Sequence, residues 1–160
     1  MPSKVYIETT IPSYLTSRPS RDIIIAGHLQ STQDWWETER NEYGLYVSQL
    51  VIQECRAGDA EMAMQRLELL AGIEIIPILP GVTPLAERLV KAGPLPTKAA
   101  ADAVHIATAA ASGMDYLLTW NLRHIANAKM QDAIRDLCKE AGFRPPEICT
   151  PEELMGEYIC

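Results

Sequence analysis

The stretch from Asp102 to His124, DAVHIATAAASGMDYLLTWNLRH, constrains the fold more than any other part of the 160-residue chain. Ala, Val and Ile recur at helical spacing from Asp102 to Ser112, Gly113 is placed to end that helix, and Tyr116, Leu117 and Leu118 form a short apolar run suited to a buried parallel strand. A helix feeding a strand is half of a βαβ unit. The helix travels about 15 Å at its usual rise, and a strand from Asp115 to Trp120 returns about 16 Å. Out and back nearly cancel, so Asp102 and Asn121 are expected on the carboxyl edge of a parallel sheet, where open α/β proteins place their ligands.

The rest of the chain repeats the alternation. Val5, Tyr6 and Ile7 read as a buried strand whose exit carries Glu8, Thr9 and Thr10. A loop holding Pro12, Ser13, Arg18, Pro19 and Ser20 leads to an amphipathic helix from about Arg21 to Arg40, with Ile25, Leu29, Thr32, Trp35 and Trp36 at three- and four-residue steps. Leu45 to Val47 is a second strand, and Ser48 is placed to cap a helix that carries Glu54 in its second turn. Asp59 caps a helix that runs to the Gly72 stop, and Ile73 to Leu79 reads as a third strand. Thr83 with Pro84 at the first helical position starts another helix. After the Asp102 segment, Lys129 to Ala141 is a final helix, Ile148 and Cys149 suit an edge strand, and Thr150, Pro151 and Glu153 spell a capping box. Strands alternating with helices predict a parallel sheet of four or five strands covered on both faces.

Composition narrows the class. The chain is 48% apolar with a single Phe, so its core is aliphatic, and its length suits one domain, 1–160. A net charge of −7 argues against a broad basic face that coats nucleic acid. Cys55, Cys138, Cys149 and Cys160 form no C-x-x-C pair, so they read as buried or idle thiols rather than zinc ligands or a disulfide framework. No charged leader precedes an apolar run, and no stretch nears the roughly 18 apolar residues of a membrane span. A cytoplasmic protein is the expectation.

Chemistry gathers where the topology brings acids together. Glu8 ends the first strand, Glu54 lies early in the helix after the second, Asp102 heads a later helix, and Asn121 ends the fourth strand. Taken singly, each acid is more simply a cap or a solvated charge. As a set at one sheet edge they repel, and a divalent cation between them is the usual remedy. Oxygen donors without Cys favour Mg²⁺ or Mn²⁺ over zinc, and such ions activate water in phosphodiester cleavage. Arg18, Arg21, Lys98, Arg123 and His124 fall near the same edge and are candidates for phosphate contact. His105, one turn after Asp102, reads as a satisfied, partly buried histidine, and His28 as structural. One of Trp35 and Trp36 reads as core and its neighbour as a helix or subunit contact. Asp115 starts its strand and is excluded from the site.

The segments YIETTIPSYL, the Glu54 helix, DAVHIATA and DYLLTWNLRHI, in that order, resemble the PIN-domain nucleases, and among these the VapC-type toxins of type II toxin–antitoxin pairs. The similarity runs from about Val5 to Ile148. It implies a three-layer α/β/α sandwich around a parallel sheet, and an acidic pocket that binds Mg²⁺ or Mn²⁺ to hydrolyse RNA. By matching motifs it assigns Glu8, Glu54, Asp102 and Asn121 to the four metal-ligand positions, and Thr10 to the hydroxyl residue that follows the first acid. A homodimer and a cognate antitoxin protein are implied as well. Two positions depart from the usual pattern: Glu8 stands where Asp is common, and Asn121 is neutral where an acid is frequent. Those departures motivate the alternative of a catalytically weak or inactive PIN-like module that binds a partner protein or RNA. A phosphoacceptor receiver domain fits less well, because it needs an acidic pair after the first strand and ETT supplies one acid.

Overall fold

The computed structural model describes residues 1–156. Five strands, β1 (Lys4–Ile7), β2 (Gly44–Ser48), β3 (Glu74–Ile76), β4 (Tyr116–Leu118) and β5 (Glu147–Cys149), form one sheet in the order β3-β2-β1-β4-β5. Every pairing is parallel, which requires a crossover between each successive pair. The helices that make the crossovers are α1 (Thr10–Leu15), α2 (Ile23–Thr38), α3 (Gln49–Cys55), α4 (Ala60–Leu70), α5 (Val82–Lys91), α6 (Ala100–Ala111) and α7 (Gln131–Glu140). The result is a three-layer α/β/α sandwich.

The strand order contains the reason the site lies where it does. From β1 the chain moves outward through β2 to β3, then returns to lay β4 on the other side of β1. The reversal leaves a crevice beyond the carboxyl ends of β1 and β4. Register is tight there, with Val5 opposite Tyr116 and Ile7 opposite Leu118. Val5, Tyr6, Ile7, Val47, Leu117 and Leu118 are fully buried, as central strands covered on both faces should be. Each such aliphatic side chain contributes about 1.5–3 kcal/mol by leaving water.

Several local readings need correction. The expected loop after β1 contains α1, because Pro12 sits in the first helical turn, where its missing N–H leaves no helical bond unmade. The third strand ends at Ile76 and not Leu79, since Pro77 cannot donate to a ladder and β3 is already the sheet edge. Helix α5 begins at Val82, which puts Pro84 at its third position and leaves Thr83 inside the helix instead of capping it. The last helix starts as a 3₁₀ turn over Ala128–Met130, with Asn127 accepting from Lys129 N, before α7 begins. Trp35 and Trp36 are both buried; Trp35 Nε1 donates to Leu154 O at 3.1 Å, so it also holds the final turn.

The expected caps form at Ser48, whose hydroxyl accepts from Val51 N, and at Asp59, which accepts from Met62 N. Thr150 and Glu153 exchange both bonds of the capping box. Asp115 lies at the opposite edge from Glu8, where it accepts from Lys4 N at 2.8 Å and from Arg144. Cys55, Cys138 and Cys149 are buried and free, and burial pushes their thiols up to about 11, 11 and 12. Cys160 lies outside the described residues. No helix among the described residues is long and apolar enough to cross a membrane.

Candidate functional site

Glu8 extends β1 by one residue, its N–H donating to Leu118 O at 3.1 Å, and this ladder bond draws its side chain into the crevice between β1 and β4. The residue is only 4% exposed. Its Oε1 accepts from Thr10 Oγ1 at 2.5 Å, from Thr119 Oγ1 at 2.6 Å and from Thr10 N at 3.2 Å. Backbone bonds set the direction of both hydroxyls. Thr10 Oγ1 accepts from Trp120 N and Thr119 Oγ1 accepts from Asn121 N, which leaves each hydroxyl proton for the carboxylate.

Glu54 arrives from the other side of β1 on α3. Its Oε1 accepts from Thr9 Oγ1 at 2.5 Å and bonds His105 Nε2 at 2.7 Å. Thr9 occupies the N-cap position of α1 yet makes no capping bond with its side chain, because its own backbone is helical at φ −54° and ψ −29° instead of extended; its hydroxyl donates to Glu54. Adjacent threonines therefore serve different acids, Thr9 the distant one and Thr10 the near one. Among the described residues, every donor to these two carboxylates reaches Oε1.

His105 is fully buried on α6. Its Nδ1 meets the Tyr6 hydroxyl at 2.7 Å, and that hydroxyl meets Ser48 Oγ at 2.7 Å. Burial raises the Tyr6 phenol well above its ordinary range, so it remains protonated. For Glu54, burial pushes the carboxyl up, but the hydrogen bonds from His105 and Thr9 outweigh it and leave the group below its ordinary value.

One ligand atom each from Glu8, Glu54 and His105 lies within 4.8 Å of the other two. The first two members match the sequence expectation, and the third is new. Asp102 heads the same helix as His105, but its Oδ2 pairs with His124 Nδ1 at 3.1 Å. The Asn121 side-chain oxygen accepts from His124 N at 3.0 Å, closing the turn after β4. The expected set of four thus divides into Glu8 with Glu54, and Asp102 with Asn121 joined through His124. Thr10, the hydroxyl residue that follows the first acid, holds Glu8. Arg18, Arg21, Lys98 and Arg123 are exposed and make no ion pair among the described residues. His28 stacks on Trp120 with centroids 4.2 Å apart, and Tyr14 stacks on the same indole at 5.6 Å, so His28 is structural as expected.

Thr9, Thr119 and Tyr6 escaped sequence reading. Only the doubled threonine of ETT and the TWN triplet hint at hydroxyls clustered on two strand tips.

Two carboxylates, one of them nearly buried, face each other without a Lys or Arg between them. That donor set suits a hard divalent cation. Comparison with known proteins agrees with the geometry. The family model for the PIN domain matches residues 5–130. A chain from the crystal structure of VapBC2 from Rickettsia felis bound to a DNA fragment from their promoter is similar over 92% of this chain and 98% of its own, at 16% identity with a TM-score of 0.57. No curated protein matches. The family match spans most of the chain and every carboxylate of the crevice, and the chain belongs to the PIN domain family.

Proposed function

We propose that this protein is a metal-dependent endoribonuclease and the toxin of a VapC-type pair, folded as one domain over 1–160 and acting in the cytoplasm. The observation that carries the reading is the facing of Glu8 and Glu54, each gripped through Oε1 by threonine hydroxyls, with no Lys or Arg paired to either among the described residues and His105 the one basic group in contact, at Glu54 alone. Holding two like charges together in a crevice is costly unless a cation is the intended occupant. Glu8 and Glu54 hold Mg²⁺ or Mn²⁺ in this reading, and Asp102 and Asn121 complete the set. Such an ion, when bound, lowers the pKa of water and stabilises charge on a phosphodiester.

The chain's own contribution is placement. Thr9, Thr10 and Thr119 fix the two carboxylates before any ligand arrives, so little ordering remains to be done on binding. Arg18, Arg21, Lys98 and Arg123 are exposed cations without partners among the described residues, suited to phosphates that position the strand without reading its bases. His124 ties Asp102 to the turn that carries Arg123. The likeness to VapBC2 supports a protein antitoxin as partner, and the motif resemblance supports a homodimer.

The test is cleavage of structured RNAs with Mg²⁺ or Mn²⁺ by the parent, Glu54→Gln and Asp102→Asn. Loss of cleavage in both variants, with circular dichroism unchanged, is expected; equal cleavage by all three removes the assignment. A second reading has its own observation. The Asp102 carboxylate and the Asn121 oxygen are both engaged by His124, as in a module that binds RNA or a partner without hydrolysis. Partner binding with no metal uptake favours that reading.

A further inference from the structure

A buried chain of hydrogen bonds runs from the cap of α3 back to the carboxylate that α3 carries. Its members are Ser48, Tyr6, His105 and Glu54, drawn from β2, β1, α6 and α3. Ser48, Tyr6 and His105 are each no more than 2% exposed, so water supplies no alternative partner and every proton has to be placed within the chain.

Placement follows from the ends. Glu54 is an ionised carboxylate and only accepts. An unprotonated Nε2 would set two lone pairs against each other at 2.7 Å, so Nε2 carries a proton and donates. At the other end, Ser48 Oγ accepts from Val51 N, and its own proton has no acceptor among the described residues except the Tyr6 oxygen. Tyr6 receives that bond and passes its single proton to His105 Nδ1. A proton on Nδ1 as well would turn Tyr6 towards Ser48 and strand the serine hydroxyl, which costs about 1–3 kcal/mol in a buried place.

We infer that Tyr6 and His105 are positioning residues: Tyr6 pins the imidazole as its Nε2–H tautomer, which makes His105 a donor that orients Glu54 and withholds its nitrogen from the metal. The inference rests on reading Glu54 as a metal ligand. It explains why a histidine can lie within 4.8 Å of two carboxylate ligand atoms without converting an all-oxygen site into one that prefers softer ions. The partner that fixes a ring nitrogen decides what the other nitrogen can do.

Two measurements test this. Two-bond ¹H–¹⁵N correlation spectra of the metal-free parent report the tautomer directly and require no substitution. A protonated Nε2 with an unprotonated Nδ1 on His105 is expected, and a proton on Nδ1 overturns the inference whether or not the protein cleaves RNA. Electron spin echo spectra of the parent loaded with Mn²⁺ should show no directly coordinated ¹⁴N; a coordinated imidazole nitrogen overturns it. Mn²⁺ titrations of variants add the functional arm. His105→Ala should weaken binding about 10–100-fold, while His105→Gln, which keeps an N–H donor, should recover most of it. Tyr6→Phe should introduce a ¹⁴N coupling that the parent lacks, as the freed ring turns its nitrogen to the ion, and the parent's spectrum in Tyr6→Phe would count against the tyrosine. Failure of the parent to bind Mn²⁺ defeats the nuclease reading and removes Glu54 as a ligand, and the inference falls with it. A positive tautomer result beside normal Mn²⁺ uptake keeps both.

Discussion

Thr9 Oγ1 donates to Glu54 Oε1 at 2.5 Å across 45 residues of sequence, joining the tip of β1 to the last turn of α3. Because Thr9 makes no cap bond to α1, removing its hydroxyl loses the carboxylate contact and nothing else of the helix. Thr9→Val keeps the branched shape. It should lower stability by about 1 kcal/mol in urea unfolding, towards the smaller end for a bond to a charged group because Glu54 is partly open to water. Mn²⁺ affinity should fall by roughly tenfold, and Thr9→Ser should restore both. A Thr9→Val protein with the parent's Mn²⁺ affinity would show that His105 alone holds Glu54.

The acid at the other end of the sheet has a pH signature. Asp115 is held below its ordinary value of 3.8, chiefly by the Lys4 N–H and then by Arg144. A carboxyl depressed in the folded state contributes stability above its unfolded pKa and loses it as pH falls through the folded one. The parent should therefore melt above Asp115→Ala at pH 7, and the gap should shrink as pH is lowered below about 4. Melting curves of both proteins from pH 7 to pH 3 decide it, and a gap that widens on acidification would contradict the assignment of cause.

These two acids show what the chain discloses and what it hides. Asp115 was placed at the far edge from position alone, because a residue that begins a parallel strand cannot stand at its carboxyl end. Glu8 falls at the near edge because it ends its strand, Glu54 because it lies early in the helix after the second strand, and Asp102 by the counting of helix and strand lengths. Periodicity reports which end of a layer a residue occupies. It does not report which hydroxyl a carboxylate will meet, since Thr119 and Glu8 lie 111 residues apart and depend on the register of β1 against β4. Helix α1 was hidden for a different reason: Pro12 reads as a breaker unless it is known to fall in a first turn. His105 was expected to be satisfied and partly buried, but it is fully buried and its partners lie on β1 and α3.

The threonine cage gives a direction to the departure at position 8. Glu8 is long enough to reach Thr10 and Thr119 together. Asp, although the common residue there in proteins this chain resembles, is shorter by one methylene and would withdraw from both. Thr119 is fully buried, so its stranded hydroxyl should cost about 1–3 kcal/mol. Glu8→Asp should unfold at lower urea than the parent and bind Mn²⁺ more weakly. An increase in both stability and affinity would mean that the cage adapts to the shorter acid.

Asn121 behaves differently, because its interaction needs only an acceptor. Its oxygen takes the His124 N–H in the turn after β4, a bond that a carboxylate makes at least as well. Asn121→Asp should therefore fold like the parent, within about 0.5 kcal/mol. The added charge lies in the turn that also carries His124, the partner of Asp102. With Mn²⁺ present the new carboxylate should be drawn to the ion. The expected net result is a higher Mn²⁺ affinity for Asn121→Asp than for the parent. Calorimetric Mn²⁺ titration of both proteins separates the cases: a gain in affinity places Asn121 beside the ion, whereas equal affinities confine it to the turn.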